Sequence, residues 1–535
     1  MKGVKNFWIW FGIIVLVCLL LLGACFGIMY LKPGTSLLGL KYISVQTKQT
    51  FVYSSSSDYS LEEVDSIYIR TDRSNIKFSL GRFNNFMEVI YENNYGGFSR
   101  SDGSSTYTDS IVNSGYNRTL NIITEENYTD LVSGESTINV LLPKNYNFSK
   151  ITAITGTGSI NFCSKNDDYA ISIGEIALST GKYGDINMGQ TGNVSNLTFN
   201  TYIGSVVFSG ISEISANKIE FNTASGSFLL DEKEETQLST TNGFVVSSTG
   251  KANVKISKLL SSLRLNAVAG SYSFDSIGDE GEDREVIVNA DNINFSAGKI
   301  YGYVSFLDRN SYYVKNIISI NELISTTDEP SSFIVGEGYL GISKIDTNLS
   351  ASSTKGNISL NNINPQNSIY VFSESGDIYV KYRRSELSVN TTTTKVLSKT
   401  GNVNLENISG VLYLEILSPS ENKTLNVSFN ALCGNKEDKI ISKDRTPVLI
   451  WQGNSDDLIC SMFAKGRASF VTQSGAPSIF GSEVTSEDFF EYMLNEYPTY
   501  SHQYRVGYQK GSLQYASAGK LFVDGSKDIR VVIVI

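Results

Sequence analysis

The sequence predicts an all-β protein: a single-stranded β-solenoid, β-helix-like, behind one N-terminal transmembrane helix. Three observations predict it. An uncharged apolar run opens the chain. A Gly-x-Φ-x-Φ unit (Φ apolar) recurs through its middle. Outside the opening run, only Ser486–Leu494 reads well as a helix, with Ser486, Glu487 and Asp488 where a cap and first turn want them.

The opening run is Phe7–Leu31, 25 residues without a charge. A spanning helix needs about 20. Lys2 and Lys5 precede it, which keeps residues 1–6 cytoplasmic and places 32–535 outside the cell as an extracellular ectodomain on a single-pass anchor. Lys32, Lys41 and Lys48 follow it and weaken that bias. Two alternatives stand beside an uncleaved signal anchor. A cleaved signal peptide normally has a shorter apolar region, of about 7–15 residues. A lipoprotein signal would use Leu22-Gly23-Ala24-Cys25, with Cys25 lipidated as the mature N-terminus, although Phe26–Leu31 stays apolar where a tether usually turns polar. Either alternative still leaves the ectodomain outside.

The repeat begins near residue 150. Gly158 leads to Ile160 and Phe162, Gly184 to Ile186 and Met188, Gly204 to Val206 and Phe208, Gly226 to Phe228 and Leu230. Gly243 leads to Val245 and then fails at Ser247. Gly270, Gly302, Gly338, Gly356, Gly376 and Gly401 resume the unit, at a mean spacing of about 24 residues. Alternation at period two marks a strand with one buried face. Many copies have a second strand just before the glycine, as in Leu197/Phe199, Ile219/Phe221 and Ile369/Val371. Small polar residues such as Ser373-Glu374-Ser375 lie between the strands. Glycine is expected at the turn for its tolerance of positive φ. One coil cannot stand alone: four buried apolar side chains supply ~6–12 kcal/mol, less than ordering two dozen residues costs at ~1–2 kcal/mol each. Stacked coils share backbone pairing and merge their cores. Uneven spacing then means loops bulging from the coils, the longest at Asp279–Asp283 and Asp308–Pro330. The alternative is a β-sandwich of similar hairpins.

The flanks are also β-rich. Ser66–Arg70, Met87–Tyr91 and Thr119–Ile123 read as strands. Gly511–Tyr515 and Gly519–Val523 echo the repeat, and Arg530–Ile535 reads as a terminal strand, in a cap or a return to coils. The expected organisation is a cytoplasmic end (1–6), a signal anchor (7–31), a β-rich N-terminal part of the solenoid (32–150), the repeat region (151–410) and an irregular C-terminal region with one short helix (411–535).

A strand ending in Leu142-Pro143-Lys144, a Ser/Thr-Gly link into Gly158-Ser159-Ile160, then Gly184-Asp185-Ile186, Gly356-Asn357-Ile358, Gly376-Asp377-Ile378 and Gly401-Asn402-Val403 resembles the bacterial adhesin-domain family over roughly residues 60–410. The resemblance implies a membrane-anchored surface β-solenoid. Its motifs are structural, so no binding residue carries over.

Composition narrows the chemistry. Lys and Arg number 44 against 54 Asp and Glu, a net charge of −10, which argues against nucleic acid. The lone His502 removes triads and imidazole acid–base pairs. No CxxC, P-loop or dinucleotide fingerprint occurs, so no metal or cofactor is expected. Cys163, Cys433 and Cys460 are either three thiols or one thiol beside a Cys433–Cys460 pair. Polysaccharide-cleaving β-helices need clustered carboxylates. Here the outward coil positions carry only Asp185 and Asp377, eight coils and so about 38 Å apart at ~4.8 Å per coil. Asp167-Asp168, Asp231-Glu232 and Glu234-Glu235 fall in loops. The chain is therefore expected not to be an enzyme.

Binding surfaces fit better. Tyr303 and Tyr339 are expected at one outward position on adjacent coils, with Tyr379 further along that face, as a site for sugar or peptide. Val207, Leu229 and Val246 are expected to form an outward apolar stripe. The expected function is adhesion or envelope-polymer binding, with cell-surface polysaccharide or protein as partner. Alternatives are an accessory part of an envelope sensing or assembly complex, and a carbohydrate-active enzyme.

Overall fold

Alternating apolar residues in short strands bury one face only when strands stack, and they do so here. In the computed structural model the chain is mostly β and winds as a β-solenoid of about 10 turns, preceded by one helix, Lys2–Leu31. The structure describes residues 2–32, 36–37, 39–54, 64–81, 86–100, 104–114, 117–127, 131–143, 146–163, 172–189, 194–211, 213–230, 236–308, 315–383, 393–398, 401 and 403–408. Beyond these it describes only the backbone of short strands. Ser486–Leu494, Gly511–Tyr515, Cys433, Asp167-Asp168 and the acids of 231–235 lie outside the described residues. Trp8–Leu31 is long and apolar enough to cross a membrane. Two compact units follow from the contacts, Met1–Ile211 with Ser215–Glu234, and Ser212–Ile214 with Glu235–Ile535.

In the first unit each coil pairs in parallel with the next. Ile67, Ile151, Ile176, Leu197 and Ile219 form one inward column, and Ile76, Ile160, Ile186, Val206 and Phe228 another. All are buried. Each such side chain removed from water contributes about 1.5–3 kcal/mol. In the second unit Phe295, Ile318, Leu340, Ile358, Ile378 and Val403 form the corresponding kind of column.

The turn between the two strands has a chemistry of its own. A buried Thr or Ser lies three residues before the glycine. Gly158 N–H donates to Thr155 Oγ1 at 2.9 Å, Gly243 N–H to Thr240 Oγ1 at 3.0 Å and Gly376 N–H to Ser373 Oγ at 2.9 Å. Ser373 Oγ donates in turn to Gly376 O at 2.8 Å. The Thr180 turn is one residue longer, and there Thr180 Oγ1 has no partner among the described residues. The glycines themselves serve a purpose other than the one expected. Gly184, Gly204 and Gly226 do not have positive φ. A Cβ on Gly184 would collide with Gly158 O, one on Gly204 with Gly184 O, and one on Gly226 with Gly204 O. Gly356, Gly376 and Gly401 repeat this on Gly338, Gly356 and Gly376. Close approach of successive backbones, not left-handed geometry, demands the residue.

Three copies of the motif sit elsewhere. Gly243, Gly270 and Gly302 do adopt positive φ, of 99°, 141° and 132°, in or beside the long strands Phe244–Leu260, Leu263–Ile277 and Arg284–Asp308. The expected loop Asp308–Pro330 contains a core strand, Ile317–Ile324, with Ile318 and Ile320 buried. Asn316 stands where the stack has glycine, beneath Gly338, which is why the motif hides this strand. Asp279–Asp283 is a tight loop as expected, and Asp283 Oδ2 takes the N–H groups of Thr326 and Thr327 at 2.8 and 3.0 Å.

Each unit also carries antiparallel strands. Strands Asn117–Asn127 and Leu131–Leu142 lie parallel on Ser66–Thr71 and Asn75–Leu80, forming a coil that precedes them in space. Ser104–Ser114 covers the first antiparallel, Phe86–Ser99 covers the second, and Leu40–Ser54 covers Phe86–Ser99. At this junction the buried Glu126 accepts the Arg73 N–H at 3.1 Å, together with the hydroxyls of Thr71 and Ser74. In the next coil the equivalent Thr157 N–H reaches Asp72 O instead. Glu126 thus supplies the acceptor that a preceding backbone would. In the second unit Val411–Ile416 is covered antiparallel by Ile529–Val534, so the terminal strand is part of a cap.

Gly204→Ala places a methyl against backbone. Overpacking costs about 1–3 kcal/mol or more, and at ~2–4 °C per kcal/mol the thermal midpoint of the purified protein falls by about 5 °C. Gly12→Ala, where a Cβ meets nothing within 4 Å, leaves the midpoint unchanged.

Candidate binding surface

The outward side chains of the coils are mostly small and uncharged, and they bond from coil to coil. Asn187 Nδ2 donates to Asn161 Oδ1 at 2.8 Å, Asn222 Nδ2 to Asn200 Oδ1 at 3.0 Å and Asn289 Nδ2 to Asn266 Oδ1 at 3.1 Å. Such amide ladders follow from in-register parallel stacking. The residue after the turn glycine behaves similarly. Asp185 Oδ1 accepts the Ser205 N–H at 2.8 Å, and Asn357 Oδ1 accepts the Asp377 N–H at 2.9 Å. The acid at Asp185 is therefore used in binding coil to coil.

Several charges are also paired between coils. Glu322 meets Lys344 at 3.1 Å and Lys299 at 3.5 Å, Lys150 meets Glu175 at 2.8 Å, and Lys381 meets Glu406 at 2.9 Å. The hydrogen bond from Lys344 holds the Glu322 carboxyl below its usual range. Exposed pairs contribute little each. Among the described residues no group of three or more His, Cys, Asp or Glu is arranged to hold a metal ion.

The tyrosines do not sit as the repeat suggested. Tyr303 belongs to Arg284–Asp308, whose residues Ser305–Leu307 pair with Ser332–Ile334. Tyr339 belongs to another set of strands, pairing with Ile317 on one side and Asn357 on the other. The two are therefore not at one position on adjacent coils. The reason is that Gly302 marks a different corner of the coil from Gly338: its missing Cβ faces Arg284 O, whereas that of Gly338 faces Asn316 O.

Tyr339 and Tyr379 do share a sheet. Tyr339 is 40% exposed, and its ring lies over Gly341, where an added Cβ would fall 2.5 Å from the Tyr339 hydroxyl. Gly341 pairs with Ser359, and Ser359 with Tyr379. The two rings therefore flank Ser359, which accepts a hydrogen bond from Asn361 Nδ2 at 3.1 Å. At ~4.8 Å per strand, Gly341 and Tyr379 are about 10 Å apart. The Tyr379 hydroxyl donates to Glu406 at 3.0 Å and that of Tyr303 to Glu285 at 3.0 Å. Partial burial, then the neighbouring carboxylate, raises both phenols above their ordinary pKa.

The expected apolar stripe is also revised. Val246 is fully buried, beside Leu265 of the next coil, because the strand after Gly243 starts one residue early, with Phe244 inward. Val207 and Leu229 face outward, half-buried against each other. Gly341 was missed because it breaks the strand pattern rather than beginning one. Its signal is a glycine two residues after an exposed tyrosine.

Parallel coils with ladders of uncharged side chains and a helix able to cross a membrane define a β-solenoid of the adhesin-like kind. The chain belongs to the Toastrack DUF4097 family, whose model matches residues 99–411, more than half of its length. No curated protein matches it. Among solved structures, a "putative cell adhesion protein" from Clostridium sporogenes matches 40% of this chain and 100% of its own, at 10% identity and a TM-score of 0.24, a superposition too loose to bear on function.

Tyr379→Phe removes the bond to Glu406 and costs about 0.5–1.5 kcal/mol, seen as a lower midpoint in chemical denaturation. Tyr339→Ala changes the unfolding free energy by about 0.5 kcal/mol at most, as exposed substitutions do, and leaves that midpoint nearly in place.

Proposed function

We propose that the protein is a membrane-tethered cell-surface β-solenoid that presents a non-catalytic binding surface, acting in adhesion or in binding an envelope polymer. The observation that carries this reading is the pair Tyr339 and Tyr379 on one sheet, with the hydroxyl of Ser359 and the amide of Asn361 between them. Flat rings with polar tips and uncharged hydrogen-bonding groups suit the face and hydroxyls of a sugar. A surface polysaccharide is the partner this chemistry favours, while the net charge of −10 disfavours nucleic acid. Family membership supports a surface role. The use of Asp185, Asp283 and Glu322 in coil-to-coil or loop bonds supports a surface that binds without turnover.

The full chain in nanodiscs, screened against cell-wall polysaccharides and a glycan array, binds at least one polymer. Tyr339→Ala and Tyr379→Ala each weaken that binding about tenfold, the equivalent of ~1.4 kcal/mol, while Tyr303→Ala does not. Binding indifferent to both substitutions, or cleavage of the bound polymer, would overturn the reading.

A further inference from the structure

The helix and the N-terminal cap are joined by aromatic rings as well as by chain. The Phe26 ring lies 4.8 Å from Phe98, Phe98 lies 5.4 Å from Tyr42, and Tyr42 lies 4.8 Å from Tyr30. Phe26 and Tyr30 are on the helix. Tyr42 and Phe98 are cross-strand partners on Leu40–Ser54 and Phe86–Ser99. Met29, on the same helical stretch, is buried. The sheet is thus packed along the last turns of the helix.

The length of the helix sets the depth of this contact. Trp8 and Trp10 sit near one end of the span, and Tyr30 near the other. Tryptophan and tyrosine favour the two membrane–water interfaces. From Trp8 to Tyr30 the helix rises ~33 Å at 1.5 Å per residue, enough to cross a hydrocarbon core of ~30 Å. From Trp8 to Phe26 it rises only ~27 Å. With Trp8 at one interface, Phe26 lies at the inner boundary of the other, and Phe98 is in contact with it. Lys32, Lys41 and Arg100 follow or precede these rings by one or two residues, and basic side chains beside an interfacial ring suit anionic headgroups.

We propose that the Tyr42–Phe98 edge of the β-cap is a second membrane contact, seated in the lipid interface beside the helix, with phospholipid as its partner. This rests on the helix spanning the membrane, and the experiment separates the two. The probe is a single tryptophan in the full chain, with Trp8, Trp10 and Trp451 replaced by Phe. The chain is placed in phosphatidylcholine–phosphatidylglycerol nanodiscs whose lipids are brominated at shallow or deep acyl positions. Leu16→Trp is quenched most by deep bromines and Phe98→Trp by shallow ones, losing at least a third of its emission. Tyr202→Trp, on an exposed turn of the solenoid, is not quenched. Tyr42→Trp reads the same depth should Phe98→Trp not fold. Quenching at residue 16 with none at 98 or 42 overturns the second contact while leaving the span intact. No quenching at residue 16 overturns the span, and the proposal with it.

Discussion

Everything in the solenoid depends on how closely successive backbones approach at the turn. A Cβ on Gly184, Gly204, Gly226, Gly356, Gly376 or Gly401 would fall on the carbonyl oxygen of the glycine one coil earlier, so there is no room for one. That approach keeps the flanking strands in register, so apolar side chain meets apolar side chain along the core, Ile160 between Ile76 and Ile186 and Phe162 between Phe78 and Met188. At Gly158, Gly243 and Gly376 the buried hydroxyl three residues earlier satisfies the turn amide. Core, turn and surface are therefore consequences of one repeated contact.

The same register organises the outside. In-register stacking places like side chains above one another, which suits amides and hydroxyls because each is donor and acceptor at once. It suits charges only when signs alternate, as in Lys299, Glu322 and Lys344. A low charged fraction and abundant Ser and Asn are thus what a parallel stack requires of its surface. Aromatic residues stand out against that background. Tyr339 and Tyr379 are distinctive because Gly341 and Ser359 leave space between them.

Period-two alternation made the strands and their inward faces legible in the sequence, because burial acts residue by residue and leaves its mark there. What could not be read was which corner of the coil a glycine marks. Gly302 and Gly338 open identical motifs, yet one faces Arg284 and the other Asn316. That difference lies in chain path through three dimensions, so the expected alignment of Tyr303 with Tyr339 failed while the pairing of Tyr339 and Tyr379 on one face survived. Asn316 hid a coil for the opposite reason: a side chain other than hydrogen occupies the glycine position at the place where the strand below runs on without a break. The turn hydroxyls at Ser353, Ser373 and Ser398 were in plain view three residues before Gly356, Gly376 and Gly401, and had meaning only once their buried partners were known.

A parallel stack is its own template, since the face offered by the last coil is the face every earlier coil used to recruit its successor. Left open, such an end would let one molecule prolong another into a fibre. The antiparallel strands over Asn117–Asn127 and Leu131–Leu142, and over Val411–Ile416, break that identity by reversing the polarity of the hydrogen-bonding groups. The number of coils is thereby set by the gene and not by the concentration of neighbours.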